Sequence, residues 1–209
     1  MPADPTLSPA ISAMLARLHA AAAEDGARWS SEAGAVARAA TDLVRMGEFY
    51  LSLSPTAGAQ ICRLAIDAGA RHIVEFGASF GISTLYLAAA AQATDGHVTT
   101  TEVHPEKCAA LRESFAEARV GDRVTLLEGD ARETLKTVHG PIDFLFLDGW
   151  KRMYLPVFSL LRARLAPGAT VVADNCSQPE LGDYMAAIQD PASGFATEIS
   201  GDMAISRRG

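Results

Sequence analysis

From residue 72 to residue 190 one pattern repeats: a short apolar run, then a longer segment with helical periodicity. "HIVEF" precedes "ISTLYLAAAA", and "HVTTTE" precedes "PEKCAALRESFAEA", which Pro105 opens. "RVTLLEG" precedes a short helix after Asp130, "IDFLFLD" a helix through "LPVFSLLRARL", and "TVVADN" a helix through "DYMAAIQ". Strands that alternate with helices must run parallel, because each crossover needs a helix's length of chain, and the helices then cover both sheet faces. "FATEIS" and "MAISRR" close the chain about Gly201 as a hairpin. The expected architecture is α/β: a doubly wound, mostly parallel seven-stranded sheet with an antiparallel last strand.

Two further segments precede this pattern. Leu7, Ile11, Met14, Leu15 and Leu18 recur at helical spacing, and so do Val36, Ala40, Leu43 and Val44 after a break around Gly26 to Ser30. The division expected is an N-terminal helical cover over residues 1–50 and one globular unit over 51–209. In the latter, Ser54 caps a helix, Pro55 fits its first turn, Ile61, Leu64 and Ala65 form its apolar face, and Gly69 ends it.

Composition narrows the class. A chain of 209 residues, 49% hydrophobic and 21% charged, can bury a substantial core. A net charge of −7 argues against nucleic-acid and anionic-membrane partners, whose binding draws on Lys and Arg. Three separated cysteines, Cys62, Cys108 and Cys176, fit a reducing compartment and argue against zinc. With no leader-like or membrane-spanning apolar run, the expected location is cytoplasmic.

The first strand-to-helix loop, "VEFGASFGIST", carries the clearest local signal. Gly77 and Gly81 flank the turn, and Ser83 lies at the start of the following helix. Ser79 stands where a dinucleotide fingerprint has its central glycine, so the loop suits a ligand without a pyrophosphate. Glu75 just before it favours a cation by Coulomb sign. Glu102, ending the second strand, can accept hydrogen bonds from both hydroxyls of a ribose. A ribose, no phosphate and a positive charge describe S-adenosylmethionine.

"VEFGASFGIST", "TTEVHPEK", "LLEGDA", "FLDGWKRMYLP" and "VVADN" together resemble the class I S-adenosylmethionine-dependent O-methyltransferases, in particular the metal-dependent catechol and caffeoyl-CoA branch. The resemblance covers residues 50 to 209 in motif order and implies a Rossmann-like methyltransferase fold. It also implies that Gly77, Ser79 and Ser83 line the methionine end of the cofactor, that Glu102 binds the ribose, and that Asp130 and Ala131 border the adenine.

Asp148 and Asp174 end the fourth and fifth strands, neighbours in a doubly wound sheet, and Asn175 follows directly. Two carboxylates and an amide carbonyl form an all-oxygen set suited to Mg²⁺, or to another divalent cation such as Ca²⁺ or Mn²⁺. The resemblance gives these three residues as metal ligands and Lys151 as general base, with Trp150 as a pocket wall. The implied reaction is methyl transfer to a hydroxyl of a catechol-like or other vicinal-diol phenolic small molecule. Glu198 and Asp202 do not align with the C-terminal glutamate of catechol-specific members, and the segment after Asn175 is short, which suggests an open pocket. A loop around Trp29 could cover that pocket. The competing expectations are a metal-independent small-molecule methyltransferase, a methyltransferase-like binding module without catalysis, and an NAD-dependent oxidoreductase, against which the missing central glycine counts. The N-terminal helices are compatible with a homodimer.

Overall fold

The computed structural model describes residues 7–29, 50 and 53–209. Its sheet has seven strands: β1 (His72–Phe76), β2 (His97–Glu102), β3 (Val124–Glu128), β4 (Ile142–Leu147), β5 (Leu165–Ala173), β6 (Phe195–Ser200) and β7 (Met203–Arg208). Their order is β3-β2-β1-β4-β5-β7-β6, with β1 to β5 parallel and β7 antiparallel to both its neighbours. The expected architecture, including the antiparallel last strand, is therefore the observed one. The order reverses between β1 and β4, which opens a crevice at their carboxyl ends, the place where doubly wound sheets bind ligands.

Strand composition follows position in the sheet. In β4 every residue except Asp143 is buried, as a central parallel strand requires. Asp143 lies at its amino end, where one carboxylate oxygen accepts the backbone N–H groups of Arg71 and His72, each at 2.9 Å. Edge strand β6 carries Thr197, Glu198 and Ser200 and is largely exposed.

Two hydrophobic cores lie on the two faces. On one, α3 (Ile82–Thr94) is buried at every position from Ile82 to Ala91, because α2 (Pro55–Asp67) and α1 (Pro9–Trp29) cover its outer side. That accounts for a helix apolar all round. Gly58 permits the α2–α3 approach: a Cβ there would stand 2.1 Å from the Tyr86 ring. Ser54 caps α2 by accepting from Ala57 N–H at 3.2 Å. Ile11, Met14 and Leu15 of α1 are no more than 3% exposed, each worth about 1.5–3 kcal/mol of burial. The remaining helices are α4 (Pro105–Glu117), the short α5 (Ala131–Thr134), α6 (Tyr154–Leu161) and α7 (Gly182–Gln189).

Three boundaries differ from the sequence reading. Helix α1 continues through Gly26 to Trp29, where a break is expected; the second N-terminal helix, with Val36, Ala40, Leu43 and Val44, and the loop beyond Trp29 lie outside the described residues. The helix expected through Leu165 ends at Leu161, and a 3₁₀ turn follows over Arg162–Arg164. Strand β5 then starts at Leu165 rather than Thr170. Leu165 pairs with Ile142, and the register shifts before Phe144 meets Thr170. Ala-Pro-Gly, a turn signal in sequence, is thus an irregularity inside a strand, with Gly168 at φ 78°. Among the described residues no helix is long and apolar enough to cross a membrane.

Candidate active site

The crevice at the carboxyl ends of β1 and β4 is lined by Leu53, Gly77, Ala78, Ser79, Phe80, Ile82, Ser83 and Asp148. Four of these were singled out in the sequence. Gly77 sits at φ 99°, and a Cβ on it would lie 2.5 Å from Gly149 Cα, so the close pass of the two loops requires glycine. Gly81, at φ 92°, precedes the first turn of α3, which places the Ser83 side chain on the pocket wall. Ser79 adopts φ 49°, an uncommon conformation for a residue with a side chain. Leu53 and Phe80 went unnoticed in the sequence because they read as ordinary apolar residues.

Two carboxylates underpin the loop. Glu102 accepts Ser79 N–H at 2.9 Å on one oxygen, and Val103 and His104 N–H at 2.8 and 2.9 Å on the other. Glu75 is fully buried beneath the loop, accepting 2.5 Å hydrogen bonds from the hydroxyls of Thr84 and Thr100 on one oxygen. Burial raises its pKa, against the hydroxyl hydrogen bonds that lower it. Asp130 and Ala131 lie just past β3, beside Glu102 through the Gly129 N–H to Glu102 C=O bond of 2.9 Å. Asp130 caps α5 by accepting Arg132 N–H at 2.9 Å and pairs with the Arg132 guanidinium, which holds its carboxyl below the usual range. Ala131 is buried.

The second group of predicted residues gathers at the ends of β4 and β5. Asp148 N–H donates to Phe76 C=O and Asp174 N–H to Leu147 C=O, each at 3.0 Å, so the two aspartates continue neighbouring strands in register. Lys151 Nζ lies 3.1 Å from Asp148 Oδ1 and 2.9 Å from the Tyr154 hydroxyl. That hydroxyl donates to Asp174 C=O at 3.2 Å, which links both strand ends to the lysine. The Tyr154 ring is held edge-on by Phe76 and Tyr184. Trp150 is half-buried and leads into the 3₁₀ turn that carries Lys151.

Burial pushes the Asp148 carboxyl up to about 7, with Lys151 opposing and Asp174 reinforcing the shift. Asp174 is also raised, by burial first. Asn175 adopts φ 60°, and the segment after it is tied to the β6–β7 turn: Cys176 N–H donates to Asp202 C=O at 2.9 Å and Ser177 N–H to Asp202 Oδ1 at 2.8 Å. Among the described residues no group of three or more His, Cys, Asp and Glu side chains is placed to hold a metal; the expected set has two carboxylates and one amide.

A family model described as a methyltransferase domain matches residues 74–176, from β1 to the segment just past Asn175. The segment that carries the crevice is thus similar to a methyltransferase domain. The chain is similar to the catechol O-methyltransferase of Mycobacterium tuberculosis, 33% identical over 142 residues, 68% of this chain and 63% of that one. It is also similar to the O-methyltransferase ankF of Aspergillus thermomutatus, 31% identical over 129 residues, 60% of this chain and 54% of that one. The chain thus spans less than two thirds of either relative. Among solved structures, cofactor-bound Rv0187 from MTB superposes with a TM-score of 0.65 at 27% identity, over 85% of this chain and 90% of that one. The S-adenosylhomocysteine-bound methyltransferase PaMTH1 of Podospora anserina gives 0.70 at 21% identity, over 97% and 88%, a likeness of fold.

Two contact residues of this candidate site, Tyr154 and Lys107, escaped the sequence reading, and Asp202, weighed there only against a C-terminal glutamate, supports the segment after Asn175 instead. Tyr154 had a usable signal, since it follows Lys151 by three residues on the same turn. Lys107, whose ammonium donates to Ser79 Oγ at 2.9 Å from a separate element, had none.

Proposed function

We propose that this protein is an S-adenosylmethionine-dependent O-methyltransferase acting on a hydroxyl of a catechol-like phenolic small molecule. One observation carries the reading: Asp148 lines the same pocket as Gly77, Ser79 and Ser83 and also touches Lys151. The cofactor loop and the candidate base therefore share one residue. The similarity to O-methyltransferases, one of them a catechol O-methyltransferase, supports the reaction class.

In this reading Gly77, Ser79 and Ser83 hold the methionine end of S-adenosylmethionine, and Glu102 accepts the ribose hydroxyls. Glu75, buried beneath the loop, contributes negative potential towards the sulfonium. The substrate oxygen attacks the methyl carbon in line with the departing sulfur. The new O–C bond forms as the C–S bond breaks, leaving a neutral thioether. The hydroxyl proton passes to the amine of Lys151, which Asp148 and the Tyr154 hydroxyl hold in place. Trp150 flanks the substrate.

The carboxylates of Asp148 and Asp174 and the amide oxygen of Asn175 form a hard-oxygen set that fits Mg²⁺, Ca²⁺ or Mn²⁺. The raised carboxyls favour this fit, because two half-buried acids share one lysine and a dication would relieve their mutual repulsion. Such a cation supplies Lewis acidity, lowering the pKa of a substrate hydroxyl and fixing its direction.

The test is incubation with methyl-labelled S-adenosylmethionine and a panel of catechols, with Mg²⁺ or with EDTA. Transfer that stops in EDTA and returns with Mg²⁺ is expected. Transfer indifferent to EDTA would remove the metal role and leave the reaction class intact. Absence of transfer in both would overturn the catechol assignment.

A further inference from the structure

We propose that Lys107 is a positioning residue of the cofactor site: through Ser79 it sets the carboxylate of Glu102 in the orientation that grips the cofactor's ribose. The inference rests on the reading of Glu102 as the ribose acceptor.

Lys107 stands in the first turn of α4 and is only 4% exposed, a rare state for lysine. Its ammonium donates to Ser79 Oγ at 2.9 Å and lies 4.9 Å from the centroid of the Phe80 ring. The Phe80 ring is stacked in turn on Tyr50, with centroids 4.0 Å apart, so the lysine lies against a fixed aromatic wall. Burial lowers the lysine's pKa, while the carboxylates of Glu102 and Asp25 oppose that shift and favour the cation.

Ser79 has a special need for such a partner. Its φ of 49° is strained for a non-glycine residue unless the surroundings hold it. The Lys107 hydrogen bond fixes its side chain, and the same conformation aims its N–H at Glu102 Oε2, 2.9 Å away. The other oxygen of Glu102 is fixed by its own strand end, through Val103 and His104. The carboxylate plane is therefore set at two points, and one of them depends on Lys107. Where a dinucleotide loop uses glycine, this chain uses a serine and a buried lysine.

The test is calorimetric binding of S-adenosylhomocysteine and of its 2′,3′-dideoxy analogue to the wild type and to Lys107→Met, Ser79→Ala, the double variant and Glu102→Gln. Lys107→Met is expected to weaken S-adenosylhomocysteine by about 10-fold, the scale of one hydrogen bond to a carboxylate. The dideoxy analogue should bind Lys107→Met as it binds the wild type, whereas Ser79→Ala, at a residue that also holds the methionine end, should weaken both ligands, and adding Lys107→Met to it should bring no further loss. If Lys107→Met fails to fold, Lys107→Gln against the same two ligands decides: equal loss for both overturns the proposal. A purely space-filling lysine would weaken both ligands alike, or neither, and either result overturns the proposal while Glu102→Gln still weakens S-adenosylhomocysteine. If Glu102→Gln also leaves S-adenosylhomocysteine unaffected, the ribose reading itself falls, and this inference with it.

Discussion

The two halves of the crevice handle buried acid in opposite ways. On the β1–β2 side, Glu102 accepts three backbone N–H groups and Glu75 is held by the hydroxyls of Thr84 and Thr100. On the β4–β5 side, Asp148 has Lys151 as its ion-pair partner, and neighbouring Asp174 raises its pKa further. The first half presents carboxylates held by hydrogen bonds, suited to a neutral diol. The second sets two carboxyls beside a single lysine, suited to a cation and to proton transfer. Substitutions in the two halves should therefore have separable consequences.

The largest separation is expected from Lys151→Met. With the proposed base gone, kcat for methyl transfer should fall at least ~100-fold, the usual range for general base catalysis, while calorimetry gives the wild-type Kd for S-adenosylhomocysteine. Equal losses in both would mean that the halves form one unit. Glu102→Gln is the reciprocal change. A glutamine can serve Val103 and His104 through its oxygen, but it then turns an NH₂ towards Ser79 N–H. One lost bond and one donor facing a donor should cost about 1–3 kcal/mol in chemical denaturation and weaken S-adenosylhomocysteine on the order of 10-fold. Retained stability together with retained affinity would show that the carboxylate charge is dispensable there.

Asp202→Ala addresses the second half alone. Asp202 ties down the backbone at Cys176 and Ser177, directly after Asn175, and the Asn175 amide interacts with its carboxylate. Loosening that support should weaken Mn²⁺ binding, followed by electron paramagnetic resonance, by about 10-fold, as outer-shell changes at metal sites do. Affinity for S-adenosylhomocysteine should stay at the wild-type value. A loss of both affinities would mean that the turn supports the whole crevice.

The same division explains what the sequence could reveal. Strands such as β1, β2, β6 and β7 were readable to the residue, because runs of β-branched and apolar side chains are bounded by glycine or turn residues. The Asp148–Lys151 pair was readable because three positions on one turn guarantee proximity. The adjacency of Asp148 and Asp174 followed from the doubly wound strand order. Lys107 and Asp202 were not readable, since their roles depend on a rotamer and a turn that bring together residues 28 and 25 positions apart. The start of β5 was missed because Ala-Pro-Gly signals a break, and only pairing with Ile142 makes it part of a strand.

The smallest expected effect is a pH dependence that the two halves share in sign and divide in origin. Burial raises the carboxyl pKa of Glu75, Asp148 and Asp174 in the folded protein. The folded state then binds more protons than the unfolded chain, so stability from these groups is greatest at low pH and is lost as pH rises through the folded value. For Asp148 the window runs from 3.8 to about 7. A dication at Asp148 and Asp174 favours both carboxylates and should remove their share, whereas Glu75, enclosed by threonine hydroxyls, should keep its own. The thermal midpoint of the metal-free protein should thus fall with pH across this window, and less steeply with saturating Mg²⁺. Glu75→Gln should reduce the slope by the same amount in both conditions. Coincident curves with Mg²⁺ and with EDTA would mean that the two aspartates do not share a cation, and the contrast between the halves would reduce to their hydrogen bonding.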